Sequence, residues 1–205
     1  MIIVSNVSCV RNNVRLFRNI NFKVRNGYVL QIIAANGVGK TSLLRILCGL
    51  LSKDSGSVFI QSTRSLKAVG EHSDSYTKIY IGNRQSLYKN MSPYTNIQFY
   101  LNLFSDNKKR MVTILDALRF FNVGMSVNCA DLSTGECQRV VLARLLLTEA
   151  DIWFLDEPFL YLDLQGVNAV RKLIFDFIEL NNNIVVITTH AVITELLHKS
   201  VLVYL

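Results

Sequence analysis

A glycine-rich loop between an apolar strand and an apolar helix constrains this fold more than any other feature. The segment YVLQIIA has the composition of a buried strand, and KTSLLRILCGLL repeats its apolar residues at helical spacing. The loop AANGVGKT joins them. A buried strand that leads through a glycine loop into a helix is typical of an α/β core, in which the sheet is mostly parallel.

The loop has the spacing of a phosphate-binding loop. Its glycines let successive backbone N–H groups point at phosphate oxygens, and the helix N-terminus adds its positive end. We expect Lys40 to reach the β- and γ-phosphates of a nucleotide, and the Thr41 hydroxyl to bind Mg²⁺. Ala34 stands where the first glycine of the motif is usual. The predicted nucleotide-binding residues of this segment are Ala34, Ala35, Asn36, Gly37, Val38, Gly39, Lys40, Thr41 and Ser42.

Short strand patterns precede the loop. The pieces IIVSNVSCV, VRLF and INFKV are separated by Asn-rich turns, and Asn26-Gly27 reads as a hairpin-type turn. A hydrophobic pattern from about Thr95 to Phe121 predicts two helices, which would form a small helical subdomain within residues 90–130. These patterns predict an N-terminal antiparallel β subdomain and a helical subdomain attached to the α/β core.

Strands and helices alternate through the rest of the chain. DIWFLD, NIVVITT and SVLVYL read as strands, and helices are expected from Thr134, over Leu164 to Leu180, and after His190. Such alternation indicates a parallel sheet. The sequence therefore predicts a single domain over residues 1–205, with a P-loop core and the two smaller subdomains within it.

An acidic pair follows the strand IWFL. Asp156 and Glu157 stand at its carboxyl end, where open α/β sheets form their ligand sites. We expect Asp156 to hold Mg²⁺, directly or through water, and Glu157 to orient or deprotonate an attacking water. His190 ends NIVVITTH and could contact a γ-phosphate. Alone, Asp-Glu-Pro could be a turn and the histidine a structural residue, but a phosphate loop upstream favours catalytic roles for both.

Ser133 and Glu136 allow two interpretations. Ser-x-x-Glu before the helical run CQRVVLARLLL is a capping box, in which Ser133 is the N-cap and Glu136 the third helical residue. The same residues, together with Gly135, also match a motif by which some proteins contact a nucleotide. The residues alone do not choose between the two.

Composition restricts the function classes. No apolar stretch reaches the roughly 20 residues that span a bilayer, and the amino terminus lacks the pattern of an export signal, so we expect a cytosolic chain. The net charge of +7 suits nucleic acid, anionic lipid headgroups or an acidic protein partner. The cysteines have neither disulfide-rich nor metal-site spacing, and we expect reduced, buried thiols at Cys9, Cys48, Cys129 and Cys137.

In order along the chain, AANGVGKTS, LSTGECQR, IWFLDEP and the TTH histidine resemble the Walker A, signature, Walker B and switch-histidine motifs of ABC ATPases. The resemblance implies ATP and Mg²⁺ as cofactors. It also implies a head-to-tail homodimer, in which Ser133, Gly135 and Glu136 act on the γ-phosphate bound to the partner subunit. The implied catalytic residues are Glu157, His190 and Lys40.

Several positions depart from the ABC pattern. Glu136 stands where glutamine is usual. In the loop Leu160-Tyr161-Leu162-Asp163, which matches the family's dimer-contact loop, Leu160 and Tyr161 replace smaller residues and Asp163 is retained. The glutamine that normally touches Mg²⁺ falls by counting on Arg84, with Gln85 one place later, so both are candidates. The aromatic residue that stacks on adenine is absent near Arg11, whose guanidinium could stack instead.

Within this family, VRLFRNINF, YVLQIIAANGVGKTSLLRILCGL and YIGNRQSLYKNMSPYTNIQFY are similar to the haem-exporter ATP-binding subunits of bacterial cytochrome c maturation. That similarity implies a peripheral position on the cytoplasmic face of the inner membrane and a CcmB-like integral permease as partner, with or without a CcmC-like subunit. Neither nucleic acid nor direct haem binding is expected. The alternatives are an ATPase subunit of another small exporter, a non-transport ABC ATPase acting on DNA or ribosomes, and a subunit that binds nucleotide without hydrolysing it.

Overall fold

Two β-sheets organise the described part of the chain in the computed structural model, which covers residues 1–61, 76–83, 86–104 and 113–205. One is antiparallel, with the spatial order β2 (Val14–Val24), β1 (Ile2–Arg11) and β4 (Ser55–Ile60). The other has the order β5 (Lys78–Ile81), β6 (Ile152–Asp156), β7 (Ile184–Thr189), β3 (Val29–Ile33) and β8 (Ser200–Tyr204).

The second sheet is the α/β core. β3 pairs in parallel with β7 and with β8, and β6 pairs in parallel with β7. Every residue of β3 and β6 is buried, which explains why their sequences are continuous apolar runs rather than alternating patterns. The strands predicted from YVLQIIA, DIWFLD, NIVVITT and SVLVYL are confirmed.

The helices follow the predicted order, with one difference after His190. That segment forms a 3-10 helix over Thr194–Lys199. The Gln31 side chain holds Ile193, just before this helix, by accepting from the Ile193 N–H at 2.8 Å and donating to the Ile193 carbonyl at 3.2 Å. Only six residues then remain before β8 begins at Ser200, and they form the short 3-10 helix. The α-helices are α1 (Lys40–Leu47), α2 (Pro93–Phe104), α3 (Ile114–Phe120), α4 (Thr134–Ala143) and α5 (Leu164–Asn181).

Two predictions about turns next to the antiparallel sheet are wrong. VRLF and INFKV form one strand, β2, because Asn19 adopts a φ of 53° within a strand irregularity instead of starting a turn. The Asn26-Gly27 turn does not close a hairpin, because β2 and β3 belong to different sheets. The Gly27 N–H instead donates to the Asn183 carbonyl at 2.9 Å. The β1–β2 hairpin turn is Asn12-Asn13, where both φ angles are positive, as a tight hairpin requires.

The chain divides into two compact units. The first comprises Met1–Tyr80, Ala150–Glu157 and Ile174–Leu205, and the second comprises Ile81–Glu149 and Pro158–Leu173. In the first unit, one face of the antiparallel sheet joins β3, β6 and α1 in a common apolar core. In the second, the helices predicted between Thr95 and Phe121 are present as α2 and α3.

The four cysteines are free and buried, as predicted. Burial raises the pKa of each thiol, so the reactive thiolate is disfavoured. None of the described helices is both long and apolar enough to cross a bilayer.

Gly56 in β4 provides a test of the antiparallel sheet. Its φ is +84°, and a Cβ there would lie 2.4 Å from the carbonyl carbon and oxygen of Asn6, which are rigid backbone atoms. We expect Gly56→Ala to lower the free energy of unfolding by about 2 kcal/mol or more, measured as a fall in the thermal midpoint. Gly124→Ala is the control, because the nearest atom to a Cβ there is 4.0 Å away. Equal midpoints for the two variants would contradict this account of the strand.

Candidate nucleotide-binding site

The predicted phosphate loop lies between the end of β3 and the start of α1. Gly37 and Gly39 adopt φ angles of +80° and +120°, which side-chain-bearing residues rarely adopt. A Cβ at Gly39 would lie 3.1 Å from atoms of Leu16 and Phe17, so the loop packs closely against β2. Ala34 has no such positive φ, and its methyl group fits without backbone strain.

Lys40 occupies the inside of this loop. Its side chain is 5% exposed, and its Nζ donates to the Ala34 carbonyl at 2.7 Å and to the Ala35 carbonyl at 3.2 Å. The same Nζ lies 3.4 Å from Glu157 Oε1 and 3.2 Å from His190 Nδ1. His190 Nε2 lies 3.0 Å from the same oxygen of Glu157. Three side chains that the sequence analysis singled out as catalytic therefore touch one another.

Asp156 and Thr41, the two predicted metal ligands, also meet. Asp156 is 1% exposed, and the Thr41 hydroxyl lies 2.9 Å and 3.1 Å from its two carboxylate oxygens. Hydroxyl and carboxylate oxygens are the donors that Mg²⁺ prefers. These residues come from the start of α1 and the end of β6, so the order of strands in the sheet brings them together.

Thr188 is a site residue that the sequence analysis did not identify. It is fully buried in β7 opposite Asp156, and its hydroxyl donates to Asp156 Oδ1 at 2.6 Å. The same hydroxyl accepts the backbone N–H of Glu157 at 2.9 Å, where Glu157 has a φ of 51°. No local sequence signal identifies Thr188, because its contact with Asp156 exists only once β6 and β7 pair in this register.

The predicted capping box is present in the second unit. The Ser133 hydroxyl and N–H donate to Glu136 Oε2 at 2.7 Å and 2.9 Å, and the Glu136 N–H donates back to the hydroxyl at 3.2 Å. These bonds hold the pKa of the Glu136 carboxyl below its usual value, with the Ser133 hydroxyl as the largest cause. Gly135 approaches backbone closely, since a Cβ there would lie 2.6 Å from the Tyr161 carbonyl oxygen.

The second unit also ties α4 to the loop before α5. Arg139 Nη2 lies 2.5 Å from Asp163 Oδ1, and the Gly166 N–H donates to the same oxygen at 2.8 Å. The helix start and the ion pair hold the pKa of Asp163 low, the Gly166 hydrogen bond being the larger cause. Tyr161 has a φ of 66°, so this loop bends sharply where it meets α4.

Of the remaining predicted site residues, Arg11 is described by the structure, whereas Arg84 and Gln85 are not. The Arg11 guanidinium donates to the Val10 carbonyl at 2.6 Å and to the Ser52 carbonyl, and it lies 3.5 Å from Asp54 Oδ2. Arg84 and Gln85 lie outside the described residues.

A parallel sheet with a glycine-rich phosphate loop after β3 and a buried Asp at the end of β6 defines the chain as a P-loop nucleotide-binding protein. Comparison with known proteins refines this class. Residues 17–160 match the family model described as "ABC transporter". The chain belongs to the ABC transporter family, and it is an ATP-binding ATPase, as the sequence analysis expected.

Curated relatives are similar over nearly the whole chain. The cytochrome c biogenesis ATP-binding export protein CcmA of Aliivibrio fischeri is 36% identical over 196 residues, which are 93% of this chain and 92% of the relative. The protein of the same name from Sodalis glossinidius is 37% identical, over 91% of this chain and 87% of the relative.

Solved structures share the fold at lower identity. A dimeric ATP-binding cassette in a post-hydrolysis state, bound to ADP and Pi, has a TM-score of 0.78 and 21% identity, covering 100% of this chain and 94% of that one. The ATP-binding subunit of another ABC transporter has a TM-score of 0.76 and 19% identity, over 99% and 85% of the two chains.

The hydrogen bonds of Thr188 generate a prediction about ATP hydrolysis. Thr188→Val keeps the shape of the side chain but removes the donor to Asp156 and the acceptor for the Glu157 N–H. Losing two buried bonds, one of them to a charged group, is expected to lower the hydrolysis rate about tenfold or more, measured as phosphate release at saturating Mg-ATP. Thr188→Ser retains the hydroxyl and should stay within about threefold of the parent. Equal rates in the Val and Ser variants would contradict this role.

Proposed function

We propose that this chain is the ATPase subunit that powers a haem-exporting complex of bacterial cytochrome c maturation. The observation that carries the proposal is its similarity, at 36% and 37% identity over more than nine-tenths of the chain, to two proteins named cytochrome c biogenesis ATP-binding export protein. The contact of Lys40 with Glu157 and His190 supports hydrolysis rather than nucleotide binding alone, because a site that only binds nucleotide needs no base beside the phosphate loop.

The phosphate loop is proposed to bind the β- and γ-phosphates of ATP through its backbone N–H groups and Lys40. The ammonium group of Lys40 already lies inside the loop, held by the carbonyls of Ala34 and Ala35. A phosphate is a stronger acceptor than a carbonyl, so binding of ATP exchanges these bonds for charge-assisted ones. The nucleotide contacts proposed for Asn36, Val38 and Ser42 come from this wrapped loop.

Thr41 and Asp156 are proposed to hold Mg²⁺. Their oxygens converge within 3.1 Å of one another, and both are hard ligands that suit this ion. The ion supplies positive charge that offsets the charge of the transferring phosphoryl group. Thr188 also donates to Asp156 Oδ1, so two threonine hydroxyl groups restrict the orientation of the carboxylate.

Glu157 is proposed as the general base and His190 as the residue that orients the γ-phosphate and the attacking water. One carboxylate oxygen of Glu157 contacts both Lys40 and His190. When the phosphates attract Lys40, this oxygen loses a contact and becomes available to accept a proton from water. His190 then keeps the carboxylate positioned through Nε2.

The signature residues are proposed to act in a head-to-tail homodimer. Ser133, Gly135 and the start of α4 would donate hydrogen bonds to the γ-phosphate held by the other subunit, and Glu136 would stay turned toward Ser133. Arg11 is proposed to stack on adenine. Arg84 or Gln85 is proposed to contact the bound metal and phosphate. The membrane partner is proposed to be a CcmB-like permease, with or without a CcmC-like subunit, at the cytoplasmic face of the inner membrane.

Glu157→Gln tests the base. The amide keeps the size of the side chain but cannot accept a proton, so we expect hydrolysis to fall about 100-fold or more while ATP affinity changes little. Nucleotide titration and phosphate release measure the two properties on the same preparation. Glu149→Gln is the matched control, since Glu149 is exposed and lies in the second unit. Unchanged turnover in Glu157→Gln would remove the assignment.

Partner capture tests the cargo assignment. A tagged copy of the chain, isolated from its own host's membranes, is expected to bring with it an integral protein of the cytochrome c maturation system and Mg-dependent ATPase activity. Deletion of the gene is expected to abolish c-type cytochromes. Recovery of a different permease, with normal c-type cytochromes after deletion, would contradict the haem assignment and leave the ATPase assignment intact.

A further inference from the structure

The outward face of the antiparallel sheet is a surface that the proposed ATP site does not use. Its strand register identifies this face. Ile3 pairs with Lys23 on one side and with Phe59 on the other, while the neighbouring residues Ile2 and Val4 are buried in the core at 0% and 2% exposure. Because successive side chains of a strand point to opposite faces, the row of Lys23, Ile3 and Phe59 points away from the core.

Basic side chains run along β2 on this outward face. Arg15, Arg18 and Lys23 are exposed, and Arg25 follows the last residue of the strand. Arg15 pairs with Val10, the neighbour of buried Cys9, so Arg15 is on the outward side. Arg18 lies between Phe17 and Ile20, both of which pack against the core, so its side chain is on the outward side. None of these four forms an ion pair with another described residue.

No acidic residue of the first two strands offsets this charge. The sequence contains neither Asp nor Glu before Asp54, so β1 and β2 carry only basic charge. The Asp54 carboxylate is already paired with other groups, because it accepts the Val10 N–H at 2.8 Å and lies 3.5 Å from Arg11 Nη1. The outward positions of β1 and β4 near the basic line are uncharged, and they include Ser5, Ser57 and Phe59.

The arrangement favours an extended anionic surface over a single anionic group. Arg15 and Lys23 are eight residues apart, about 26 Å along an ideal strand, so no single phosphate can bridge them. Phe59 is 54% exposed on the same face, beside half-buried Ile3. An aromatic side chain next to a line of cations is the pattern by which peripheral proteins contact the headgroup region of a bilayer.

We propose that this basic sheet face, formed by Arg15, Arg18, Lys23, Arg25 and Phe59, binds the anionic headgroups of a lipid bilayer. The lysine and arginine side chains contact lipid phosphates, and Phe59 enters the headgroup layer. None of these residues belongs to the ATP site, so the contact attaches the subunit to the membrane independently of the proposed cargo and of hydrolysis.

Vesicle binding with two charge-matched variants tests the proposal. The purified full chain is mixed with vesicles of phosphatidylcholine alone or of phosphatidylcholine and phosphatidylglycerol in equal parts, and bound protein is measured by sedimentation. The face variant carries Arg15→Gln, Arg18→Gln and Lys23→Gln. The control variant carries Lys89→Gln, Arg119→Gln and Lys172→Gln, three exposed residues outside this sheet. Each triple lowers the formal net charge by three, from +7 to +4.

The proposal expects binding only to the anionic vesicles, and weaker binding at high salt. The face variant should bind about tenfold or more weakly than the parent, and the control variant should stay within about threefold. Phe59→Ala should also weaken binding, whereas Leu103→Ala, which removes an exposed leucine of α2, should not. Thermal midpoints and ATPase rates equal to those of the parent show that the variants are folded.

Three outcomes would overturn the proposal. Equal losses in the two triple variants would mean that net charge, rather than this face, causes vesicle binding. Binding of duplex DNA by the parent, lost in the face variant, without any affinity for anionic vesicles would assign the face to nucleic acid. Binding to host membranes but not to pure anionic vesicles, lost in the face variant, would assign the face to an acidic protein partner.

Discussion

The buried carboxylate of Asp156 is the constraint on which the rest of the site depends. A charged group with 1% exposure is costly unless its oxygens are paired, and here two hydroxyl groups pair them. Thr41 begins α1, Asp156 ends β6 and Thr188 lies in β7. Satisfying one carboxylate therefore fixes the start of a helix against the ends of two strands, and Glu157 takes its position from the same threonine.

Most of the ATP site was predictable because each of its motifs is local. The glycine loop, the acidic pair and His190 each follow an apolar run, and the carboxyl ends of parallel strands meet at one edge of a sheet. That rule predicts that Lys40, Glu157 and His190 lie at one edge of the sheet, and the structure adds that their side chains touch. Thr188 was missed because its role exists only once β6 and β7 are paired in a particular register.

The antiparallel sheet was harder to predict, because its strands depend on partners rather than on their own composition. β4 begins with Ser55-Gly56-Ser57, which resembles a loop, and it becomes a strand by pairing with β1. β2 contains Asn19 with a left-handed φ, yet the pairing with β1 continues on both sides of this residue. Asn26-Gly27 forms a turn, as predicted, but the tertiary structure decides that the strands on either side of it belong to different sheets.

The capping box of α4 already provides an acceptor, the Glu136 carboxylate, for the hydroxyl group of Ser133. Ser133 donates its hydroxyl hydrogen to the Glu136 carboxylate at 2.7 Å, so an incoming acceptor has to replace Glu136 at that hydroxyl, while the Ser133 N–H can keep its own bond to Glu136. Hydrogen bonds to ionised acceptors are about twice as strong as neutral ones, so a water molecule competes poorly with the carboxylate, whereas a terminal phosphate can compete with it. We therefore expect the Ser133 hydroxyl to exchange its partner only for an acceptor that is itself ionised.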